Sequence, residues 1–335
     1  MRISIIGGGS FGSALAIHLA KSQEELYLYI RNKDSYNLIK ETRMNTRYLK
    51  DVKLDENIVL INDIQKAVEL ADIVVLAVPS QELRKVLETI KEQIDENKIF
   101  VNVSKGIEID SLKTMSQVFY EICPNGRFVS LSGPSHAEEV AVAIPTTVVS
   151  ASKSVKDAEL IQDIFSSDTL RVYVNDDLLG VELAGATKNI IALGSGICEG
   201  KGYGDNTKAA LITRGIHEIT KLGIALGAKA STFYGLAGIG DLVVTCTSRH
   251  SRNKTCGVYI GDGLSVEDAI DKVGMVVEGI KTTKSTYMLK EKYNVEMPIV
   301  DMMYKLLYES YPLDSVVREL MGRPLKHDME KYEDR

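Results

Sequence analysis

The 335-residue sequence has no tryptophan, only four cysteines and only seven prolines. Cys123, Cys198, Cys246 and Cys256 are widely spaced and form no C-x-x-C pair. Neither a disulfide scaffold nor a structural zinc site is therefore expected, and the four read as reduced core or surface thiols. No apolar run approaches the ~20 residues that a membrane helix needs. Basic charge is not in excess: 40 Lys+Arg stand against 46 Asp+Glu, a formal net charge of -6. That balance argues against wholesale binding to nucleic acid or an anionic membrane and points to a small ligand, with a local basic pocket left open. Internal repeats and low-complexity tracts are missing too. With 44% hydrophobic and 26% charged residues the composition is globular, and the length suggests roughly two domains. A strand-like run directly after Met1 leads to the expectation of a soluble, cytoplasmic protein.

Short β-branched or apolar runs punctuate the first half: Ile3 to Ile6, Leu26 to Ile30, Ile58 to Ile61, Ile73 to Val78, Ile99 to Val103, Phe128 to Leu131, Thr147 to Ser150 and Leu170 to Val174. Helical patterns separate most of them. Several runs are apolar throughout rather than alternating, as a sheet covered on both faces requires. The expected fold class is α/β, a doubly wound Rossmann-type domain over residues 1–175. After about Asn175 the β runs stop and helical periodicity takes over, at Leu178 to Ile197, Asn206 to Leu226, Val266 to Lys272, Ile280 to Lys292 and Pro298 to Glu309. An all-helical domain is expected over residues 176–335, with Pro298 opening a helix and the polar stretch His327 to Arg335 fraying.

Directly after the first run comes Gly7-Gly8-Gly9-Ser10-Phe11-Gly12, which satisfies G-x-G-x-x-G and leads into a helix expected over Ser13 to Lys21. Gly7 permits the tight turn, Gly9 lets backbone approach a pyrophosphate, and Gly12 allows close packing of helix on strand. The helix start adds N–H donors and a positive dipole for the phosphates. A glycine turn without ligand is the alternative. The second strand ends at Arg31, where an acid would normally take the ribose hydroxyls of NAD. No acid is there. Arg31, beside Asn32 and Lys33, suits a 2′-phosphate, so NADP is expected to be accepted or preferred, although a solvated turn remains open. Tyr48, in a loop, is a candidate shield for the adenine or nicotinamide end.

Ligands sit beyond the carboxyl ends of parallel strands, which singles out three further turns: Val78-Pro79-Ser80, Ser104-Lys105-Gly106 and Gly133-Pro134-Ser135-His136-Ala137. Lys105 there can reach both a cofactor and an anionic substrate, or simply face solvent. Ser135 and the backbone after it can donate to a ligand oxygen. His136 reads better as a helix-start residue than as an acid or base. In the second half, Val181 to Asn189 reads VELAGATKN, which puts Lys188 one turn beyond Ala184 and Gly185 on the same helical face. If buried, this lysine loses solvation and becomes a proton donor and acceptor near neutrality; the alternative is a solvated helix lysine. Gly235 to Gly257, GLAGIGDLVVTCTSRHSRNKTCG, gathers glycines, a lone Asp241 and then Ser251-Arg252-Asn253. Arg252 and Asn253 suit a phosphate, or with Arg249 and Lys254 form a solvated basic face. Val276, Glu278 and Gly279 can close over a cofactor, or Glu278 can cap a helix.

Together these stretches resemble the bacterial-type NAD(P)-dependent glycerol-3-phosphate dehydrogenases, essentially end to end: IIGGGSFGSALA, VSKGIE, SGPSHAEEVA, ELAGATKNIIAL, GLAGIGDLVVTCTS with SRN, VVEG and LMGRPLKHD. The resemblance implies reversible hydride transfer between NAD(P)H and dihydroxyacetone phosphate, giving sn-glycerol 3-phosphate for glycerophospholipid biosynthesis. It makes Lys188 the catalytic lysine. Lys105, Gly133, Ser135, Lys188, Asp241, Ser251, Arg252 and Asn253 fall on substrate positions. Gly7, Gly9, Ser10, Phe11, Gly12, Arg31, Tyr48, Lys105, Ala137, Arg252, Val276 and Glu278 fall on cofactor positions. Thr187 departs from the expected leucine, and His136 stands where relatives vary. A homodimer is expected. Two rivals are a 3-hydroxyacid or 6-phosphogluconate type of dehydrogenase, which the Ser251-Arg252-Asn253 cluster disfavours, and a non-catalytic dinucleotide sensor.

Overall fold

The structure is a computed structural model that describes residues 1–22, 25–50, 52–325 and 327. The expected fraying at His327 to Arg335 lies, His327 apart, outside the described residues. In chain order the first half runs β1 (Ile3–Ile6), α1 (Ser10–Leu19), β2 (Leu26–Tyr29), α2 (Lys33–Thr42), β3 (Ile58–Ile61), α3 (Ile64–Glu69), β4 (Ile73–Leu76) and α4 (Leu83–Thr89). It continues through β5 (Ile99–Asn102), α5 (Met115–Ile122), β6 (Arg127–Ser132), α6 (Ala137–Ala141), β7 (Thr146–Ser152), α7 (Val155–Phe165) and β8 (Leu170–Asn175). Helices alone follow among the described residues: α8 (Leu178–Gly200), α9 (Asp205–Ala225), α10 (Ala230–Phe233), α11 (Asp241–Thr247), α12 (Arg252–Gly261), α13 (Val266–Val273), α14 (Glu278–Tyr293), α15 (Pro298–Tyr308) and α16 (Leu313–Met321).

All eight expected strands are present, and they form one sheet in the order β3-β2-β1-β4-β5-β6-β7-β8. The apolar runs have their cause in this arrangement. Ile73 and Val75 of β4 enter the core on one face of the sheet, while Val74 and Leu76 enter the core on the other. A strand with helices on both sides has no solvent face to mark with polar residues. β1 to β6 pair in parallel, whereas β7 runs antiparallel to β6 and parallel to β8. This reversal keeps the β6–β7 connection, with Ser135 and α6, at the carboxyl edge of the parallel strands. There α6 packs on α1.

The first helix starts at Ser10, three residues ahead of the expected Ser13. Gly9 is already its N-cap, so the second half of the glycine motif lies inside the first turn. Gly7 has φ +129°, and a side chain there would strike the Ala77 carbonyl, so the turn out of β1 demands glycine.

The helical half is organised around α8, which is buried over almost all of its length. Asp177 caps it by accepting from the Gly180 N–H at 2.9 Å. α12 crosses α8 so closely that a Cβ at Gly257 would lie 2.0 Å from the Leu193 carbonyl oxygen. Thr187 is accommodated because its hydroxyl donates to the Leu183 carbonyl one turn back. The cysteines are free: Cys123, Cys246 and Cys256 are buried and Cys198 half-buried.

Glu182 ties α8 to α5. Its carboxyl accepts from the Ser116 N–H at 2.8 Å and bonds the Ser116 hydroxyl. Burial pushes it up to about 7 from an ordinary 4.5, against those hydrogen bonds. A carboxyl whose folded pKa is raised binds its proton more tightly when folded, so it contributes stability below pH 4.5 that is lost as pH rises to about 7. Glu182→Gln is expected to flatten the fall in Tm between about pH 5 and pH 8, a span that carries on the order of 3 kcal/mol. Melting curves across that range check this; an unchanged slope would mean that Glu182 titrates alike folded and unfolded.

Candidate active site

The carboxyl ends of β1, β2, β4, β5 and β6 face the N-termini of α11, α12 and α14 across a cavity of about 1090 Å³. The glycine loop lines it, and so do Lys188 and Asp241. All the residues expected to touch cofactor line it, as do all those expected to touch substrate except Gly133. Gly133 acts at one remove: its carbonyl accepts from Lys105 Nζ and from Ser135 Oγ, each at 2.9 Å.

Lys188 is 6% exposed, within the most buried stretch of α8. Its ammonium donates to Asp241 Oδ1, and to Thr245 Oγ1 at 2.7 Å. An ammonium has three donors, so one remains for a ligand. Lys105 Nζ donates to the other carboxylate oxygen, Asp241 Oδ2, at 2.7 Å. Two lysines thus share one carboxylate, leaving one uncompensated positive charge in the cavity. Burial pulls Lys188 down to about 8; the Lys105 charge adds to that fall, and Asp241 opposes it. For Asp241 burial acts upward, but Lys105 and Lys188 together outweigh it and hold the carboxyl below its ordinary value. Asp241 is presented by a wide helical turn, Leu236–Gly240, that runs straight into α11. Turns of this π type are rare and occur frequently at functional sites.

α12 supplies the polar cluster. Ser251 caps it by accepting from the Lys254 N–H at 3.2 Å, so the positive end of α12 opens on the cavity. Arg252 donates to the Val276 carbonyl at 3.2 Å. Asn253 is braced on both sides: its NH2 donates to Asn189 Oδ1 at 2.9 Å, and its own oxygen accepts from the Gly279 N–H at 2.8 Å. One amide N–H of Asn253 is left for a ligand. Glu278, in the first turn of α14, accepts from the Ser80 N–H at 3.2 Å and the Ser80 hydroxyl at 2.8 Å, latching the turn after β4 to the helical half. Tyr48 lines the cavity under the Arg47 guanidinium, 5.2 Å from the ring centre. His136 lines it as well, its ring 5.9 Å from that of His250. Burial first and the Lys188 charge second hold His136 below the ordinary histidine value.

Three further residues build the site. Asn45 is 4% exposed, and its NH2 donates to the Gly8 carbonyl and to Ser13 Oγ, each at 2.8 Å, bracing the glycine loop. Thr245 stands four residues after Asp241 on one face of α11, which brings both to the Lys188 ammonium. Asn189, next to Lys188 on α8, holds the Asn253 amide, a role that its place in VELAGATKN does not mark.

The residues present fit a dinucleotide. A Cβ added at Gly9 would meet nothing within 4 Å, so the backbone at the start of α1 is open to the cavity. Gly9 caps that helix without a side chain, leaving the first-turn N–H groups to a ligand. The doubly wound sheet, this loop and a buried lysine–carboxylate pair facing it across one cavity define a dinucleotide-dependent oxidoreductase architecture.

Comparison with known proteins agrees and is more specific. The models of the NAD-dependent glycerol-3-phosphate dehydrogenase N-terminus and C-terminus match residues 2–158 and 177–318. A protein of Thermoanaerobacter sp. named glycerol-3-phosphate dehydrogenase (NAD(P)+) is 50% identical over 329 residues, 98% of this chain and 99% of its own. Its namesake from Staphylococcus haemolyticus is 49% identical over 330 residues, with the same coverage. The crystal structure of glycerol-3-phosphate dehydrogenase from Coxiella burnetii superposes with a TM-score of 0.92 at 34% identity, covering 96% of this chain and 99% of the other. The chain belongs to the NAD-dependent glycerol-3-phosphate dehydrogenase family; it is an oxidoreductase, and its cofactor is NAD(P). The sensor and related-dehydrogenase readings fall away.

Proposed function

We propose that the chain reversibly reduces dihydroxyacetone phosphate to sn-glycerol 3-phosphate, with Lys188 as the general acid and base. The arrangement of Lys188 carries this reading: a buried ammonium with a pKa of about 8, two donors committed to Asp241 and Thr245, and one left on the side of the cavity. Bound NAD(P)H supplies the hydride to the ketone carbon. Lys188 gives its proton to the oxygen that becomes an alkoxide, and in the oxidative direction the neutral amine takes it back. Asp241 orients the amine and offsets part of the charge, while Lys105 holds the far side of the same carboxylate. The uncompensated charge stabilises the developing alkoxide. Arg252, Asn253, Ser251 and the positive end of α12 hold the phosphate away from the reacting carbon, so that binding energy fixes its geometry.

In this reading residues 1–175 hold the dinucleotide and residues 176–335 bring the catalytic lysine and the phosphate clamp. The chain acts as a homodimer in the cytoplasm, supplying glycerophospholipid synthesis. The test is oxidation of NADH and NADPH, measured in parallel, by the purified protein with dihydroxyacetone phosphate. Unphosphorylated dihydroxyacetone is the control. Rapid, phosphate-dependent oxidation is expected; equal rates with the two ketones would overturn the clamp and the substrate together. Arg252→Ala should raise the KM for dihydroxyacetone phosphate by about 10- to 100-fold, the worth of a charge-assisted hydrogen bond, with a smaller change in kcat. Saturation curves that coincide with the wild type would remove Arg252 from the phosphate site.

A further inference from the structure

The end of β2 carries Arg31 where an acid would take the adenosine ribose hydroxyls of NAD. The fold brings an acid in from another strand. Glu82, in the turn after β4, places Oε2 3.5 Å from Nη1 of Arg31. β1 lies between β2 and β4 in the sheet, so this pair spans the carboxyl end of β1, beside the glycine loop. Both side chains line the cavity, as do Tyr29, Ile64 and Val86. In a sheet of this order the region between the first and second βα turns is where adenosine lies. The pair is also exposed, with 78% of the Arg31 side chain and 43% of the Glu82 side chain accessible, and exposed pairs of this kind open readily.

We propose that Glu82 sets the cofactor choice. Its carboxylate accepts from the ribose hydroxyls of NAD, doing for β2 what the missing acid would do. Towards NADP it acts in the opposite sense: it competes with the 2′-phosphate for the Arg31 guanidinium and repels the phosphate directly. An arginine and a glutamate facing each other over one groove give each cofactor one favourable partner. Neither residue alone does this, since Arg31 by itself favours NADP and Glu82 by itself favours NAD. The proposal rests on the NAD(P) dependence of the family and extends it to a residue that belongs to no dinucleotide motif.

The test needs no turnover. Calorimetric titration of the full chain with adenosine 5′-diphosphate and with adenosine 2′,5′-bisphosphate reads the adenosine end alone. Glu82→Gln keeps the shape of an exposed side chain, and an unchanged melting curve will show that it folds. It should bind the 5′-diphosphate about fivefold more weakly and the 2′,5′-bisphosphate about fivefold more tightly, a change of roughly 25-fold in their ratio. The ratio of kcat/KM for NADPH over NADH should move in the same direction. Arg31→Ala should move the binding ratio the other way. If Glu82→Gln shifts both nucleotides by the same factor, or neither, the part given to Glu82 is wrong while the cofactor site stands. If the wild-type chain binds neither fragment, the proposal falls together with the placement of the dinucleotide at the glycine loop.

Discussion

Lys188→Ala is expected to lower turnover about 10³-fold in both directions, within the range that removal of a positioned general acid–base produces. Binding of NADH and NADPH, followed by nicotinamide fluorescence, should survive, because the glycine loop that would hold the pyrophosphate does not include Lys188 and keeps its own backbone donors. The wild-type enzyme provides the matching pH test. Reduction uses the ammonium, so its kcat should decline as pH rises through about 8, where Lys188 loses its proton. Oxidation uses the neutral amine, and its kcat should climb over the same range. Opposite limbs at one pH identify a single group working in both directions. A variant that kept most of its turnover, or a wild type with parallel limbs, would show that the proton comes from elsewhere.

The features that were legible in the sequence share a cause. A strand covered on both faces has no solvent face to mark, so the unbroken apolar run Ile73 to Leu76 is legible without its neighbours. The glycine loop was legible because its backbone geometry excludes other residues: Gly7 has a positive φ, and a Cβ at Gly12 would lie 2.0 Å from the Gly7 carbonyl oxygen. The resemblance to a family then pointed to Lys188, Asp241 and Arg252, which the fold gathers on one cavity although they stand far apart in the chain. What stayed hidden depends on pairings that no local pattern encodes. The reversed direction of β7 is a property of its pairing with β6, which the run Thr146–Ser152 does not encode. Asn45 braces the glycine loop from 37 residues away, and Glu82 meets Arg31 from 51 residues away. Thr245 reads as an ordinary helix threonine until Lys188 is placed against it. The helix start at Ser10 was obscured because a glycine-rich segment counts against a helix on propensity, and the packing of the loop overrides that preference.

Asp241→Asn should cost almost as much as loss of the lysine, for a different reason, and the pH profile separates the two. The carboxylate is 1% exposed and gives one oxygen to each lysine. An asparagine of the same shape has only one acceptor oxygen, and its NH2 would face an ammonium. A buried and a half-buried cation would then lie close together with no negative charge between them, an arrangement that is costly unless one of them gives up its proton. Lys188 is the one to lose it, being the more buried, with burial already drawing its pKa down and Asp241 opposing that fall. An opposite charge at hydrogen-bonding distance accounts for about one to three pKa units, so the limb at about 8 should move toward acid by at least one unit. Reduction at pH 7.5 should fall about 10²-fold or more, from both the lost proton and the lost orientation. Part of the loss in reduction should return at pH 6, where the ammonium is restored, and oxidation should lose less than reduction at every pH above the new limb. If activity fell equally at all pH values, Asp241 would only hold the helices in place. If the limb stayed near 8, the carboxylate would not be what sustains the charge on Lys188.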